Sequence, residues 1–134
     1  GFGLLFYKMG NINLGSGSVI NRDCLLDNRA AINIGENVSI SGNVQIYTGG
    51  HDPHSPLFEM TCTPVTIHDH VVIFSRATIM PGVTIGKGAV VYACAVVCKD
   101  VPSMAIIAGN PGVVIGCRKA EPYYEIDYSY PAAM

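Results

Sequence analysis

From residue 67 onward an aliphatic side chain returns at every sixth position: Ile67, Ile73, Ile79, Ile85, Val91 and Val97. Four residues after each stands a second, smaller set: Val71, Ala77, Val83, Ala89, Ala95 and Val101. An amphipathic helix repeats its apolar face about every 3.6 residues and a half-buried strand every second residue, and neither period generates this pattern. A strict period of six predicts short strands joined by tight corners and stacked into the coils of a β-helix. The large residue of each hexad then points into a shared core, and the small one fits a corner.

The same hexad is present earlier in the chain, at Leu14, Ile20, Leu26 and Ile32, with Ser18, Cys24 and Ala30 in the corner positions. The frame then slips by two residues into a second register, Ile34, Ile40 and Ile46, with Val38 and Val44 at the corners. The slip predicts a small bulge at one corner, which a solenoid tolerates because each coil touches only its neighbours. At Tyr47 the repeat stops. Residues 48–64, TGGHDPHSPLFEMTCTP, have no hexad phase, and Gly-Gly and Asp-Pro punctuate them as a loop. Loops of this length inside compact folds tend to carry function.

The chain therefore reads as one all-β domain of about four to five triangular coils, three hexads to a coil. Its parts are N-terminal coils over 11–47, a protruding loop over 48–64, C-terminal coils over 65–102, and a closing segment over 103–134. Within that last segment Ala108 to Gly112 form a turn and Val113 to Ile115 a short strand. The tail from Arg118 carries Tyr123, Tyr124, Tyr128 and Tyr130. Pro122 can open a helical turn or two there, and the tail is expected to cap an open coil end.

Composition narrows the function classes. With 134 residues, 49% hydrophobic and only 13% charged, the chain is unlike a disordered one and can bury a core of ordinary size. A net charge of -2 argues against nucleic acid as a partner, since phosphate binding draws on a basic surplus. The five cysteines, Cys24, Cys62, Cys94, Cys98 and Cys117, lack zinc-site spacing and read as reduced, mostly packing thiols of a cytoplasmic protein. The apolar opening Gly1 to Phe6 is too short for a signal peptide and lacks a charged leader. Pro102, Asn110 and Pro111 break the longest uncharged run, so no transmembrane helix is expected.

His51, His54, His68 and His70 fall within twenty residues of one another, which raises the question of a metal. The β-helical carbonic anhydrases bind zinc through three histidines between subunits, with a ligand pair five residues apart, and no two histidines here have that spacing. No metal is expected on that ground. His68 and His70 read as solvated residues of a turn. His51 follows Thr48-Gly49-Gly50, where backbone can approach a ligand closely. Two readings of it stand: a proton acceptor for a hydroxyl, or a loop histidine hydrogen-bonded to Asp52.

Six stretches, in order and in one hexad frame, resemble the hexapeptide-repeat O-acetyltransferases, which include galactoside, maltose and polysaccharide-modifying enzymes. They are Asn21-Arg22, Ile34-Gly35-Glu36-Asn37-Val38, Thr48-Gly49-Gly50-His51, Pro81-Gly82-Val83-Thr84-Ile85-Gly86, Lys99-Asp100-Val101-Pro102 and Ala108-Gly109-Asn110-Pro111. The resemblance runs from about Asn11 to Arg118 and implies a left-handed parallel β-helix, against the usual right-handed crossover. It also implies a homotrimer with each active site between two subunits. His51 matches the family's general base, which takes the proton of the acceptor hydroxyl as that hydroxyl attacks acetyl-CoA directly. Asn21 matches a residue that holds the acceptor, and Asp52 and His54 lie in the loop where acceptor choice resides. Ser75 matches a position whose backbone N–H steadies the oxyanion. Ala93, Cys98 and Lys99 match the CoA groove, bordered by Gly109, Asn110 and Pro111, with Arg118 placed for a CoA phosphate.

The chain departs from the family where Trp commonly stands in place of Val72 and Gly in place of Phe74. The usual Gly-Ala-Gly is here Tyr92-Ala93-Cys94, and a Thr is replaced by Cys98. Bulk is thereby added where a pantetheine arm would pass. The reading is an acetyl-CoA-dependent O-acetyltransferase acting on a sugar or glycan precursor in the cytoplasm, with acetyl-CoA as cosubstrate and no metal. Its alternatives are a noncatalytic trimeric scaffold with an impaired groove and a metal-dependent hydratase.

Overall fold

The computed structural model describes residues 3–127 and contains seventeen β-strands and no helix among them. The first coil holds β1 (Leu5–Phe6), β2 (Ile12–Leu14) and β3 (Val19–Ile20), and the second β4 (Leu25–Leu26), β5 (Ile32–Ile34) and β6 (Ser39–Ile40). The third opens with β7 (Gln45–Ile46), throws out β8 (Gly49–His51) and β9 (Met60–Cys62), and closes with β10 (Val65–Ile67) and β11 (Val72–Ile73). The fourth consists of β12 (Thr78–Ile79), β13 (Thr84–Ile85) and β14 (Val90–Val91). The fifth has β15 (Val96–Val97), a bridge from Val101 to Ile85, and β16 (Ala105–Ala108), on which β17 (Val113–Cys117) folds back antiparallel.

Stacking these coils makes three parallel faces. The first face runs β1-β4-β7-β12-β15, the second β2-β5-β10-β13, and the third β3-β6-β11-β14-β16 with β17 at its edge. We call the turns between first and second, second and third, and third and first faces the first, second and third corners. In the regular half, Ile67 pairs with Ile85, Ile73 with Val91 and Ile79 with Val97, three hexads apart. Every large hexad residue of this half is at most 2% exposed, and the corner residues Val71, Ala77, Val83, Ala89 and Ala95 are equally buried. Each fully buried aliphatic side chain contributes about 1.5–3 kcal/mol of transfer free energy, so this ladder carries most of the core.

In the N-terminal half, Ile12 pairs with Ile32, Ile20 with Ile40 and Leu26 with Ile46, three hexads plus two residues apart. The slip falls at the first corner, between β4 and β5. Ile32 and Ile34, members of the two registers, are both buried at the ends of β5.

Two expectations need correction. The described tail is extended rather than helical. Its backbone is held by groups on the coils instead of by its own carbonyls: the Ile126 N–H donates to Asn37 Oδ1 at 3.0 Å, and the Tyr124 carbonyl accepts from His70 Nε2 at 2.8 Å. The tail runs along the second corner, past Met104, His70 and then Asn37. Tyr128 and Tyr130 lie outside the described residues. The cysteines, all free, are also not mostly packing residues. Cys24 alone is buried, at a corner position facing the core, while Cys62, Cys94, Cys98 and Cys117 sit on outward positions and are exposed.

Candidate active site

Residues 48–64 are more ordered than a loop. β8 and β9 pair antiparallel, Gly49 with Cys62, Gly50 with Thr61 and His51 with Met60, so the segment is a β-hairpin leaving the first corner. Its tip is closed by backbone hydrogen bonds from Asp52 to Glu59 and from Phe58 to Ser55, at 2.9 and 3.0 Å. Asp52 Oδ1 accepts from the His54 N–H at 2.9 Å, so in the structure Asp52 serves His54 and does not pair with His51.

His51 has a different partner. Its Nδ1 lies 3.0 Å from the Phe58 carbonyl oxygen, and its ring stacks on the Phe58 ring at 4.4 Å, with 3° between the planes. A carbonyl only accepts, so Nδ1 carries the hydrogen, and in the neutral form of the ring Nε2 holds the lone pair. The imidazole is exposed, and both the stack and the hydrogen bond hold its orientation. Chemically this is a base with one nitrogen anchored and the other presented.

The hairpin is anchored at its root by a polar cluster that the hexad reading passed over. Asp27, Asn28 and Thr48 have no exposed surface. Asp27 takes two charge-assisted hydrogen bonds from Arg29, Nε to Oδ1 and Nη2 to Oδ2, both 2.7 Å. Its Oδ2 also accepts the Gly49 N–H at 2.9 Å and the Thr48 N–H at 3.3 Å. The Thr48 hydroxyl donates to the Asp27 carbonyl at 2.6 Å and accepts the Ala30 N–H at 2.9 Å. Burial would raise the Asp27 carboxyl. The Arg29 hydrogen bond, the backbone donors and the Arg29 charge outweigh it and hold the group below the ordinary carboxylate range.

Close approach at this root requires glycine. A Cβ on Gly49 would lie 2.6 Å from Arg29 Nη2, whose position Asp27 fixes. Asn28 faces the other way. It donates to the carbonyls of Lys8 and Gly10 at 2.6 Å and accepts the N–H groups of Tyr7 and Lys8. A sequence signal for this cluster existed: three polar residues, Asp27-Asn28-Arg29, occupy the frame slip one coil before the loop.

The remaining candidates fall at three other places. Asn21, Ser75, Ala93, Gly109 and Asn110 all lie at the third corner and are exposed. The Asn21 amide donates to the Ile40 carbonyl at 2.9 Å. Cys98 and Lys99 lie at the first corner of the fifth coil, beside a cavity of about 230 Å³ that Val97, Val101 and Val114 also line. Ala93 and Cys98 thus stand at opposite ends of β15, with the first face between the Asn21–Ser75–Ala93 column and the His51 hairpin. One chain does not bring Asn21 and His51 onto the same corner. Pro111 is exposed in the turn after β16.

Arg118 sits at the second corner, its Nη1 donating to the His70 and Gly88 carbonyls at 3.0 and 3.2 Å and its Nη2 to the Tyr124 hydroxyl at 2.7 Å. The histidines divide likewise, His51 and His54 in the hairpin and His68 and His70 at the second corner. His70 is not a freely solvated residue, since Tyr124 packs edge-on against it at 5.1 Å. Phe74 and Tyr92 project from the third corner on adjacent coils, about two-fifths exposed, their rings 6.3 Å apart edge to face. They flank Ser75 and Ala93 in sequence, and so stand at the mouth of the expected groove.

The stack of three-sided coils is a parallel β-helix from which one hairpin projects, carrying a presented histidine. The family model for the bacterial transferase hexapeptide (six repeats) matches residues 64–99. The chain is 35% identical over 129 residues to the galactoside O-acetyltransferase of Escherichia coli (strain K12), covering 92% of this chain and 64% of that protein. Among solved structures it is similar to the hexapeptide-repeat acetyltransferase VCA0836 of Vibrio cholerae in complex with acetyl coenzyme A. That match has 32% identity, a TM-score of 0.79, and coverage of 89% of this chain and 73% of the other. It is similar also to a maltose O-acetyltransferase from Clostridium difficile 630, with 34% identity, a TM-score of 0.77, and coverage of 89% and 71%. The chain belongs to the hexapeptide-repeat acetyltransferase family. It spans between half and two thirds of the length of the curated relatives it matches along most of its own length.

Proposed function

We propose that the chain transfers acetyl from acetyl-CoA to a hydroxyl of a sugar or glycan precursor, with His51 as general base. The observation that carries this is the His51 hydrogen bond to the Phe58 carbonyl, which leaves Nε2 free to take a proton. The acceptor hydroxyl gives its proton to Nε2 as its oxygen attacks the thioester carbonyl. The oxyanion so formed is steadied by the Ser75 N–H. Collapse expels the CoA thiolate, which takes the proton back from the imidazolium. No acyl-enzyme forms and no metal is used. CoA lies along the first face between the third corner, at Ser75, Ala93, Gly109, Asn110 and Pro111, and the first corner, at Cys98 and Lys99. Arg118, expected at a CoA phosphate, lies at the second corner with its guanidinium hydrogen-bonded to the His70 and Gly88 carbonyls and the Tyr124 hydroxyl, so this path for CoA does not pass it.

Because His51 and Asn21 stand on different corners, the complete site forms between subunits of a homotrimer, where Asn21, Asp52 and His54 contact the acceptor. The acceptor class is supported by the galactoside and maltose enzymes among the relatives. Cytoplasmic action on a nucleotide- or lipid-linked sugar fits free, exposed thiols. The scaffold reading is favoured by one feature, the Phe74–Tyr92 pair at the groove mouth. Incubation with acetyl-CoA, a thiol reagent and a panel of sugars separates the two readings. Acceptor-dependent CoA release is expected. No release with any acceptor, together with no heat of CoA binding in calorimetry, would assign the scaffold.

A further inference from the structure

The two-residue frame slip is adjacent to the transferase site but takes no part in the chemistry so far described. Its residues converge on the hairpin root. Asp27 is completely buried, and its carboxylate gathers the Gly49 and Thr48 N–H groups, the first two of the segment that leads to His51. Thr48 locks the same root from the other side through its hydroxyl, and its carbonyl accepts the Thr63 N–H at 2.8 Å, which closes the hairpin base.

Register then places Arg29. Directly paired residues of an antiparallel hairpin share a face, and alternate residues return to it. Gly49, Cys62, His51 and Met60 therefore lie on one face of the hairpin. Arg29 packs against that face, with Nη2 beside Gly49 and Nη1 3.9 Å from Met60 Sδ. The Tyr7 ring covers the guanidinium at 4.5 Å.

We propose that Asp27, acting through Arg29, Thr48 and Gly49, is a positioning residue that sets the angle of the His51 hairpin against the coil stack. This rests on the assignment of His51 as the base. The physical reason is that an antiparallel pair of three-residue strands has little stability of its own. Its direction must come from its root, and a buried carboxylate shared among five N–H donors has one satisfied geometry. The coils alone would leave the hairpin free to pivot about residues 47–48 and 63–64. Displacement of a catalytic group by about 1 Å can cost a hundredfold in rate.

The test uses the full chain with three substitutions: Asp27→Ala, Asp27→Asn and Arg29→Lys. Steady-state kinetics with acetyl-CoA and a working acceptor is read beside amide hydrogen exchange. For Asp27→Ala, kcat is expected to fall about ten- to a hundredfold with KM for acetyl-CoA within about twofold. The Gly49 and Thr63 amides should exchange faster, while amides of 65–101 keep wild-type protection. Asp27→Asn, whose amide oxygen still accepts the Gly49 N–H, should recover part of the loss. Arg29→Lys should fall between. The proposal is overturned if the Gly49 and Thr63 amides stay protected in Asp27→Ala. It is equally overturned if protection falls evenly along the coils, or if kcat is unchanged once the root has loosened. Should the wild type transfer no acetyl group, the functional assignment fails while the exchange data still judge the joint.

Discussion

The fourth coil and the first corner of the third are neighbours built on opposite plans. In the fourth coil every hexad places one aliphatic and one small residue inside, at Ile79 and Val83, then Ile85 and Ala89. At its first corner, Met80 to Val83, nothing protrudes and no ionisable side chain is held. One coil earlier, the turn that Pro81 and Gly82 make in the regular coil becomes the hairpin, and its root is a buried carboxylate and hydroxyl, Asp27 and Thr48. Regular coils give this protein a rigid wall by burial alone. The irregular corner uses polar groups, whose directed hydrogen bonds can aim a side chain in a way that apolar contact cannot.

Substitutions in the two regions should therefore separate stability from catalysis. Ile79→Ala, in the wall, should cost about 2–5 kcal/mol of stability through the cavity it leaves, measured by denaturant unfolding. A loss under about 1 kcal/mol would mean that the coil closes over the gap.

At the corner, Asp27→Asn should cost about 1–3 kcal/mol, the scale of hydrogen bonds to a charged group. This loss has a pH signature. Asp27 is depressed in the folded state, so its contribution is complete above the ordinary carboxylate value near ~4 and is lost as pH falls through the lower folded value. The wild-type advantage in thermal midpoint over Asp27→Asn should be constant from pH 7 to about 5 and shrink below about 4. An advantage independent of pH would remove the carboxylate from the account.

The smallest effect on stability belongs to the groove mouth. Phe74→Ala with Tyr92→Ala removes an exposed aromatic pair worth about 0.5–1.5 kcal/mol. It should lower KM for acetyl-CoA while leaving kcat within about threefold. A higher KM would make the two rings part of the binding surface instead of an obstruction.

The coils were legible in the sequence because burial in them is a one-dimensional property: each residue's fate follows from its place in the hexad. Ile67 to Val101 needed no tertiary information. Asp27 did, since its partners Thr48 and Gly49 lie a whole coil away, and only the stack brings them together. The slip itself was legible, and it lengthens the first corner between β4 and β5, but the hydrogen bonds of Asp27 to Thr48 and Gly49 were not. The tail was misread as helical because Pro122 is a good helix opener in isolation, while here His70 and Asn37 supply the partners a helix would have used. That His51 stands where the chain leaves the coils was legible from Thr48-Gly49-Gly50-His51 and the loss of hexad phase after Tyr47. Its holding partner Phe58 was not, because the hairpin turn that places that carbonyl has no hexad phase.

The central claim is that the wall supplies the fold and one anchored imidazole on the corner supplies the chemistry. It is tested most directly by His51→Ala, with acceptor-dependent CoA release and thermal unfolding measured on the same preparation. A rate lower by about 10²–10⁴ and an unfolding midpoint within a few degrees of wild type are expected. Acceptor-dependent release at the wild-type rate would contradict it.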